Sequence, residues 1–178
     1  GHGTAAAAAI QEKAPEAEIY VVKIFDKQLA TTVPNLVKAI DWASSRGVRI
    51  VNLSLGTLHE FRASELAPAV DRAVAAGTII VSAHKHEDQL WYPGCMENVL
   101  GVVAATSHPR ESVTVIEAEE SFALRASPYP RPIPGVPPER NFNGISFAVA
   151  NASGCLAAVL VDHPDVKTAG EALRLLSS

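Results

Sequence analysis

Apolar positions along this chain fall into two kinds of segment. Residues 19–25 (IYVVKIF), 48–54 (VRIVNLS), 78–82 (TIIVS) and 99–105 (VLGVVAA) are short, nearly unbroken apolar runs rich in β-branched side chains. Such runs predict strands buried on both faces. The stretches between them have a different period. Val33, Leu36, Val37, Ile40 and Ala43 recur at helical spacing, with Thr32 placed to cap, Pro34 in the first turn and Gly47 beyond the end. Leu66, Val70, Ala73 and Val74 repeat the pattern, with Ser64 as the expected cap and Gly77 as the stop. Strands alternating with amphipathic helices predict an α/β fold of right-handed βαβ units around a mainly parallel sheet.

Beyond Thr106 the character changes. Residues 112–116 predict one more strand, 117–120 form an acidic patch expected to be solvated surface, and the prolines of 128–138 predict an extended connection. From Asn143 a helix of small residues (SFAVANASGCLAAVLVDHP) runs to about His163, where Pro164 stops it. A last amphipathic helix spans 169–176, with Leu173 and Leu176 turned inward. No repeat or linker divides the chain, so residues 1–178 are expected to form one domain.

Composition narrows the function classes. With 178 residues, 48% apolar and 19% charged, the chain is long enough to bury about 70% of its unfolded surface, so neither a disulfide nor a metal is required for folding. Cys95 and Cys155 pair only if folding brings them together, and are otherwise two free thiols. Fifteen basic against nineteen acidic residues, a formal charge of −4, leave no basic stripe and argue against nucleic acid as a partner. No run is apolar enough to suggest a membrane span. The chain opens on Gly1 with no signal-peptide pattern, which predicts a segment of a longer polypeptide whose N-terminal part is a partner of this one.

Two positions carry candidate chemistry. His2 lies between glycines at the head of one small-residue helix (GHGTAAAAAI), and Ser146 follows a glycine at the head of another (NGISFAVA). The first turn of a helix presents unpaired N–H groups and a dipole that favours negative charge. A serine there can attack a carbonyl and offer its own N–H to the oxyanion, while a histidine across a cleft takes its proton.

Together with the intervening segments, these motifs resemble the subtilases, the subtilisin-like serine proteases. GHGT is similar to the family's histidine motif. APEAEIYVVKIF and IDWASSRGVRIVNLSLG resemble the strand, helix and substrate-binding strand that follow it. GTIIVSAHKHED and YPGCMENVLGVVAAT resemble the oxyanion segment and the next strand, and NGISFAVANASGCLAAVL the serine motif. The resemblance implies a three-layer subtilisin-like fold that lacks its N-terminal Asp-bearing strand. It implies a serine endopeptidase acting on peptide or protein substrates through an acyl-enzyme on Ser146, with His2 as general base and Ser146 and His86 in the oxyanion hole. It also implies a substrate strand laid against Ser54, Leu55 and Gly56, with Ala83, His84 and Lys85 across the first specificity pocket and residues 29–31 on the other edge. No cofactor or metal is implied, because residues 9–14 are shorter than the family's loop that often holds calcium.

Several positions depart from the family pattern. The triad aspartate precedes the histidine in subtilisin order, and Asp26 and Asp41 stand in the wrong motif positions to replace it. Losing that carboxylate costs about 10⁴ in turnover. His86 stands where the family has asparagine. In the serine motif Ile145, Phe147, Ala150 and Asn151 replace threonine, methionine, proline and histidine, changes expected to affect mainly packing. Two other readings remain open. A pseudoprotease would keep the fold and bind a peptide or partner domain without cleaving it, and His84, His86, Glu87 and Asp88 would be metal ligands if they converged. A nucleotide-binding domain is disfavoured because no Gly-rich phosphate loop follows a strand. Cys155 is expected in the core, Cys95 in a loop, and His59, His108 and His163 on the surface.

Overall fold

A computed structural model describes residues 1–25 and 30–178. Among the described residues, five α-helices, six strands and a 3-10 turn (Pro138–Arg140) build it: α1 (His2–Lys13), α2 (Val33–Ser45), β1 (Ile50–Leu53), α3 (Glu60–Ala75), β2 (Ile79–His86), β3 (Gln89–Leu90), β4 (Leu100–Ala104), β5 (Thr114–Ala118), β6 (Ser121–Ala126), α4 (Ile145–Leu160) and α5 (Ala169–Leu176). The sheet runs β1-β2-β4-β6-β5, parallel except for β5, with β3 as a short antiparallel partner of β2.

Alternation along β2 shows why the sheet needs a helical layer on each face. Ile79, Val81 and Ala83 join Leu100, Val102 and Leu124 against α4 and α5, while Ile80, with Leu53 and Val99, packs against α2 and α3. The result is a three-layer α/β sandwich with apolar residues on both sides of β2. α1 lies outside on α4, where Ala6 and Ala9 meet Ala150.

Local signals hold where the chain decides its own geometry. Thr32 caps α2, accepting from the Asn35 N–H at 3.4 Å, and α5 starts with a capping box between Thr168 and Glu171. The start of α3 differs from expectation. His59 is its N-cap and Ser64 lies inside, its hydroxyl donating back to the Phe61 carbonyl at 2.6 Å. A serine satisfies itself this way as readily as it caps, so its presence alone does not mark a boundary.

Residues 19–25 form no strand. Tyr20, Val21 and Val22 are exposed, and only Ile24 packs on the core of α2 and α3. β propensity makes a strand only beside a hydrogen-bonding neighbour, and β1, the edge strand nearest in order, pairs with β2 alone among the described residues. Two strands replace the single one expected near 112–116. β5 lies two residues later, and β6 enters parallel to β4 with Ala123, Leu124 and Ala126 fully buried. The first half of the acidic stretch, Glu117 and Ala118, ends β5, and Glu119 and Glu120 make the turn to β6, with Glu119 ion-paired to Lys85 at 2.9 Å.

Candidate active site

The head of α4 is shaped by a glycine that only a glycine suits. Gly144 holds φ 154° and ψ 167°, a region open almost solely to residues without Cβ. Its N–H is held by the Pro128 carbonyl at 3.0 Å, and its own carbonyl accepts from Phe147 N at 3.0 Å. Ser146 therefore sits in the first turn, half-buried, where backbone N–H groups have no intrahelical partner.

Its side chain is tied to the residue after β1. Ser146 Oγ donates to the Ser54 carbonyl at 3.3 Å, and Ser54 Oγ donates to the Ser146 carbonyl at 3.0 Å. Asn52 extends this lacing, donating to Ser54 Oγ at 3.0 Å and accepting from Ser153 Oγ at 2.9 Å. The sequence reading missed Asn52. It stands at strand spacing two residues before Ser54, on the same side of the pleat, and that spacing is the signal that could have found it.

His2, first residue of α1, arrives from 144 positions away. Its ring packs on Phe147, centroids 4.7 Å apart and planes inclined by 30°, so the histidine stands beside the residue that follows Ser146. Among the described residues neither ring nitrogen of His2 has a hydrogen bond. The Ser146 hydroxyl is given to Ser54 rather than to the imidazole. Asp41 is engaged elsewhere, held by Arg72 through two bonds of 2.9 Å. Asp26, and Leu29 of the expected substrate edge, lie outside the described residues.

The other expected substrate-binding residues divide. Ser54 and Gly56 flank Leu55, whose side chain packs into the α2/α3 core and whose carbonyl accepts from Ser82 Oγ at 3.4 Å. Gly56 runs so close to the chain at Tyr92 that an added Cβ would lie 2.6 Å from the Tyr92 carbonyl, and Thr57 and Tyr92 exchange bonds of 2.9 and 2.8 Å. Ala83 is buried, and Lys85 is half-exposed in its pair with Glu119. His86 ends β2 at a two-residue hairpin, Glu87 and Asp88 both having positive φ. Its ring faces Trp91 at 6.1 Å and lies 3.8 Å from Glu87. Among the described residues no hydrogen bond joins His86 to Ser146 or His2.

His84 is buried, only 3% exposed, with Nδ1 unpartnered and Nε2 3.5 Å from Ser121 Oγ. Burial pushes its imidazole below the ordinary value near 6.5, with Glu119 opposing the shift and Lys85 adding to it. A depressed folded value means that the unfolded chain takes the proton first. Stability is therefore expected to be complete above about pH 6.5 and to fall as pH drops through that value toward the lowered one. Denaturant midpoints of wild type and His84→Ala between pH 7.5 and 5 check this, and the variant's profile should be flatter.

Remaining groups have structural parts. Cys95 and Cys155 are free thiols, and burial raises both above the usual thiol range. Among the described residues no three His, Cys, Asp or Glu side chains are gathered as a metal site, and His84 and His86 do not converge with Glu87 and Asp88. Asn151 does more than fill space. Fully buried, it donates to the Ser127 and Tyr129 carbonyls at 2.9 Å each and accepts from Lys13 Nζ at 2.7 Å. Two surface cavities, of about 410 Å³ beside β5 and about 280 Å³ near Arg49 and Lys167, are not lined by His2, Ser54, His86 or Ser146.

Comparison with known proteins bears on this arrangement. The model of the subtilase family, Peptidase_S8, matches residues 1–176. Subtilisin DY of Bacillus licheniformis is 27% identical over 198 residues, covering all of this chain and 70% of its own. The intracellular serine protease of Paenibacillus polymyxa is 29% identical over 177 residues, covering 89% of this chain and 53% of its own. The chain spans only 41% of subtilisin NAT from Bacillus subtilis subsp. natto. Among solved structures, sphericase superposes with a TM-score of 0.72 at 17% identity, covering 99% of this chain and 68% of that one. A cold adapted subtilisin-like serine proteinase superposes at 0.73 with 19% identity, covering 99% of this chain and 67% of that one. These two likenesses establish the fold.

Proposed function

This chain belongs to the subtilase family, and from that membership we propose that it is the catalytic part of a serine endopeptidase in which Ser146 is the nucleophile and His2 the general base. The observation that supports this most is the meeting of two helix heads, with the His2 ring 4.7 Å from Phe147, the neighbour of Ser146. From there the imidazole takes the Ser146 proton as the hydroxyl oxygen attacks a peptide carbonyl. The C–N bond then breaks, the proton passes to the leaving amine, and water hydrolyses the acyl-enzyme by the same steps. The N–H of Ser146 in the first turn of α4 supplies one oxyanion donor. Peptide or protein is the substrate, held as a strand beside residues 54–56.

A fluorophosphonate probe tests the reading on the native gene product. Labelling of Ser146, abolished by Ser146→Ala, supports it. Folded protein left unlabelled while a related protease reacts would favour the second reading, an impaired enzyme that binds a peptide or partner domain. What favours that alternative is the Ser146 hydroxyl donated to Ser54, with His2 lacking a hydrogen-bonded partner among the described residues.

His86, at the position of the family's side-chain oxyanion donor, is the proposed donor to the oxyanion. His86→Ala is expected to lower kcat about 10²-fold with little change in KM, because the contact strengthens only in the transition state. His86→Asn should retain or raise kcat, since an amide donates at any pH whereas a neutral imidazole has one N–H set by tautomer. Steady-state kinetics on a peptide substrate read both, and equal turnover in wild type and His86→Ala would remove His86 from the hole.

A further inference from the structure

The contact between α1 and α4 is nearly featureless. Ala6 and Ala9 face Ala150, and Gly154 lies so near that a Cβ there would come 3.1 Å from Ile10 Cα. Small side chains raise shallow ridges, so sliding one helix along the other forfeits little packing. What sets the register lies at the far end of α1. Lys13, its side chain only 7% exposed, donates 2.7 Å to Asn151 Oδ1 and 3.2 Å to the Ala9 carbonyl. Asn151 is itself anchored by the two carbonyls of Ser127 and Tyr129, and next to Lys13, Glu12 is ion-paired to Arg110, which donates to the Tyr129 carbonyl at 3.3 Å.

The Lys13 ammonium also reaches the Glu12 carboxylate at 3.4 Å, but Ala9 and Glu12 belong to its own helix, so among the described residues the Asn151 amide is its one partner on α4. A buried charge held this way adds little stability, and its best-attested use is to specify register. We propose that Lys13 and Asn151 are positioning residues for His2. Their buried bond sets the height of α1 on α4, and the rigid helix carries that setting about 16 Å to His2 at its other end. The structural claim concerns where His2 stands. Its consequence for turnover rests on the reading of His2 as the base.

NMR of the His2 ring in the full chain tests the first claim without any need for activity, because a ring stacked on Phe147 is displaced upfield by the aromatic current. Lys13→Met should move the His2 ring signals away from that displaced position, and Lys13→Arg, which can reach the same amide oxygen, should keep them there. Lys13→Ala, which leaves room for water at Asn151 Oδ1 and keeps the Asn151 bonds to the Ser127 and Tyr129 carbonyls, should lose the displaced His2 signals in the same way. In active protein the unlocked variants should lose at least about tenfold in kcat with KM nearly unchanged. Wild-type His2 signals in a folded variant that lacks the bond would overturn the proposal. Should Lys13→Met not fold, Lys13→Ala decides by the same criterion. If the wild type fails to react with the fluorophosphonate, the catalytic reading falls while the NMR arm still judges the lock.

Discussion

Ser146→Ala is expected to reduce peptide hydrolysis by the native gene product about 10⁶-fold, the size of loss that removal of the nucleophile causes in a subtilisin, a relative of this chain. The replacement leaves the helix head intact, because alanine suits the first turn of α4 and Gly144, not Ser146, carries the unusual backbone angles. What disappears is one attacking oxygen and its 3.3 Å bond to the Ser54 carbonyl. Thermal stability should therefore change by no more than about 1 kcal/mol, the usual worth of one such bond. Turnover against a chromogenic peptide, read beside a melting curve, separates the two quantities. Residual hydrolysis within tenfold of wild type would show that another group is the nucleophile.

Gly94→Ala is expected to destabilise the protein by about 3 kcal/mol or more, at the upper end of overpacking effects. An ideal Cβ on Gly94 would stand 1.7 Å from the Ala83 carbonyl oxygen and 2.3 Å from its carbon, backbone atoms that cannot rotate aside. Ala83 lies within β2, between β1 and β4, so relief must come from displacement of the chain around Gly94. That chain carries Trp91 and Tyr92 against His86 and Thr57, and its displacement should lower activity as well as stability. Urea unfolding measures the effect against Gly170→Ala. There the nearest atom is 3.9 Å away, the position is helical, and the same substitution should be neutral or stabilising by up to about 1 kcal/mol. Equal midpoints for the two variants would show that the loop around Gly94 yields easily.

Much of this protein is local, and local features were legible in the chain. The Thr32 cap with Pro34 set the start of α2, the bounds of α5 came out as Ala169–Leu176, and the unbroken apolar runs at 78–82 and 99–105 marked strands buried on both faces. Each is decided by neighbours within a few residues, through capping bonds or side-chain period. The helix heads that carry His2 and Ser146 were legible for the same reason: a glycine shortly before a polar residue at a helix start is a local arrangement.

Only the tertiary structure decided matters that depend on who lies alongside. Residues 19–25 have the composition of a strand but no hydrogen-bonding neighbour among the described residues. β6, whose short run is interrupted by Arg125, becomes a strand because β4 and β5 bond it on both sides. His84 reads as a polar residue near a cleft, yet the sheet buries it, since β4 brings Gly101 against its ring. Asn151 reads as a packing substitution and is instead the fixed point to which Lys13 ties α1. Contacts across more than a hundred residues, such as Lys13 to Asn151, Asn52 to Ser153 and His2 to Phe147, leave no periodic trace in either segment, because each partner alone obeys only its own helix or strand.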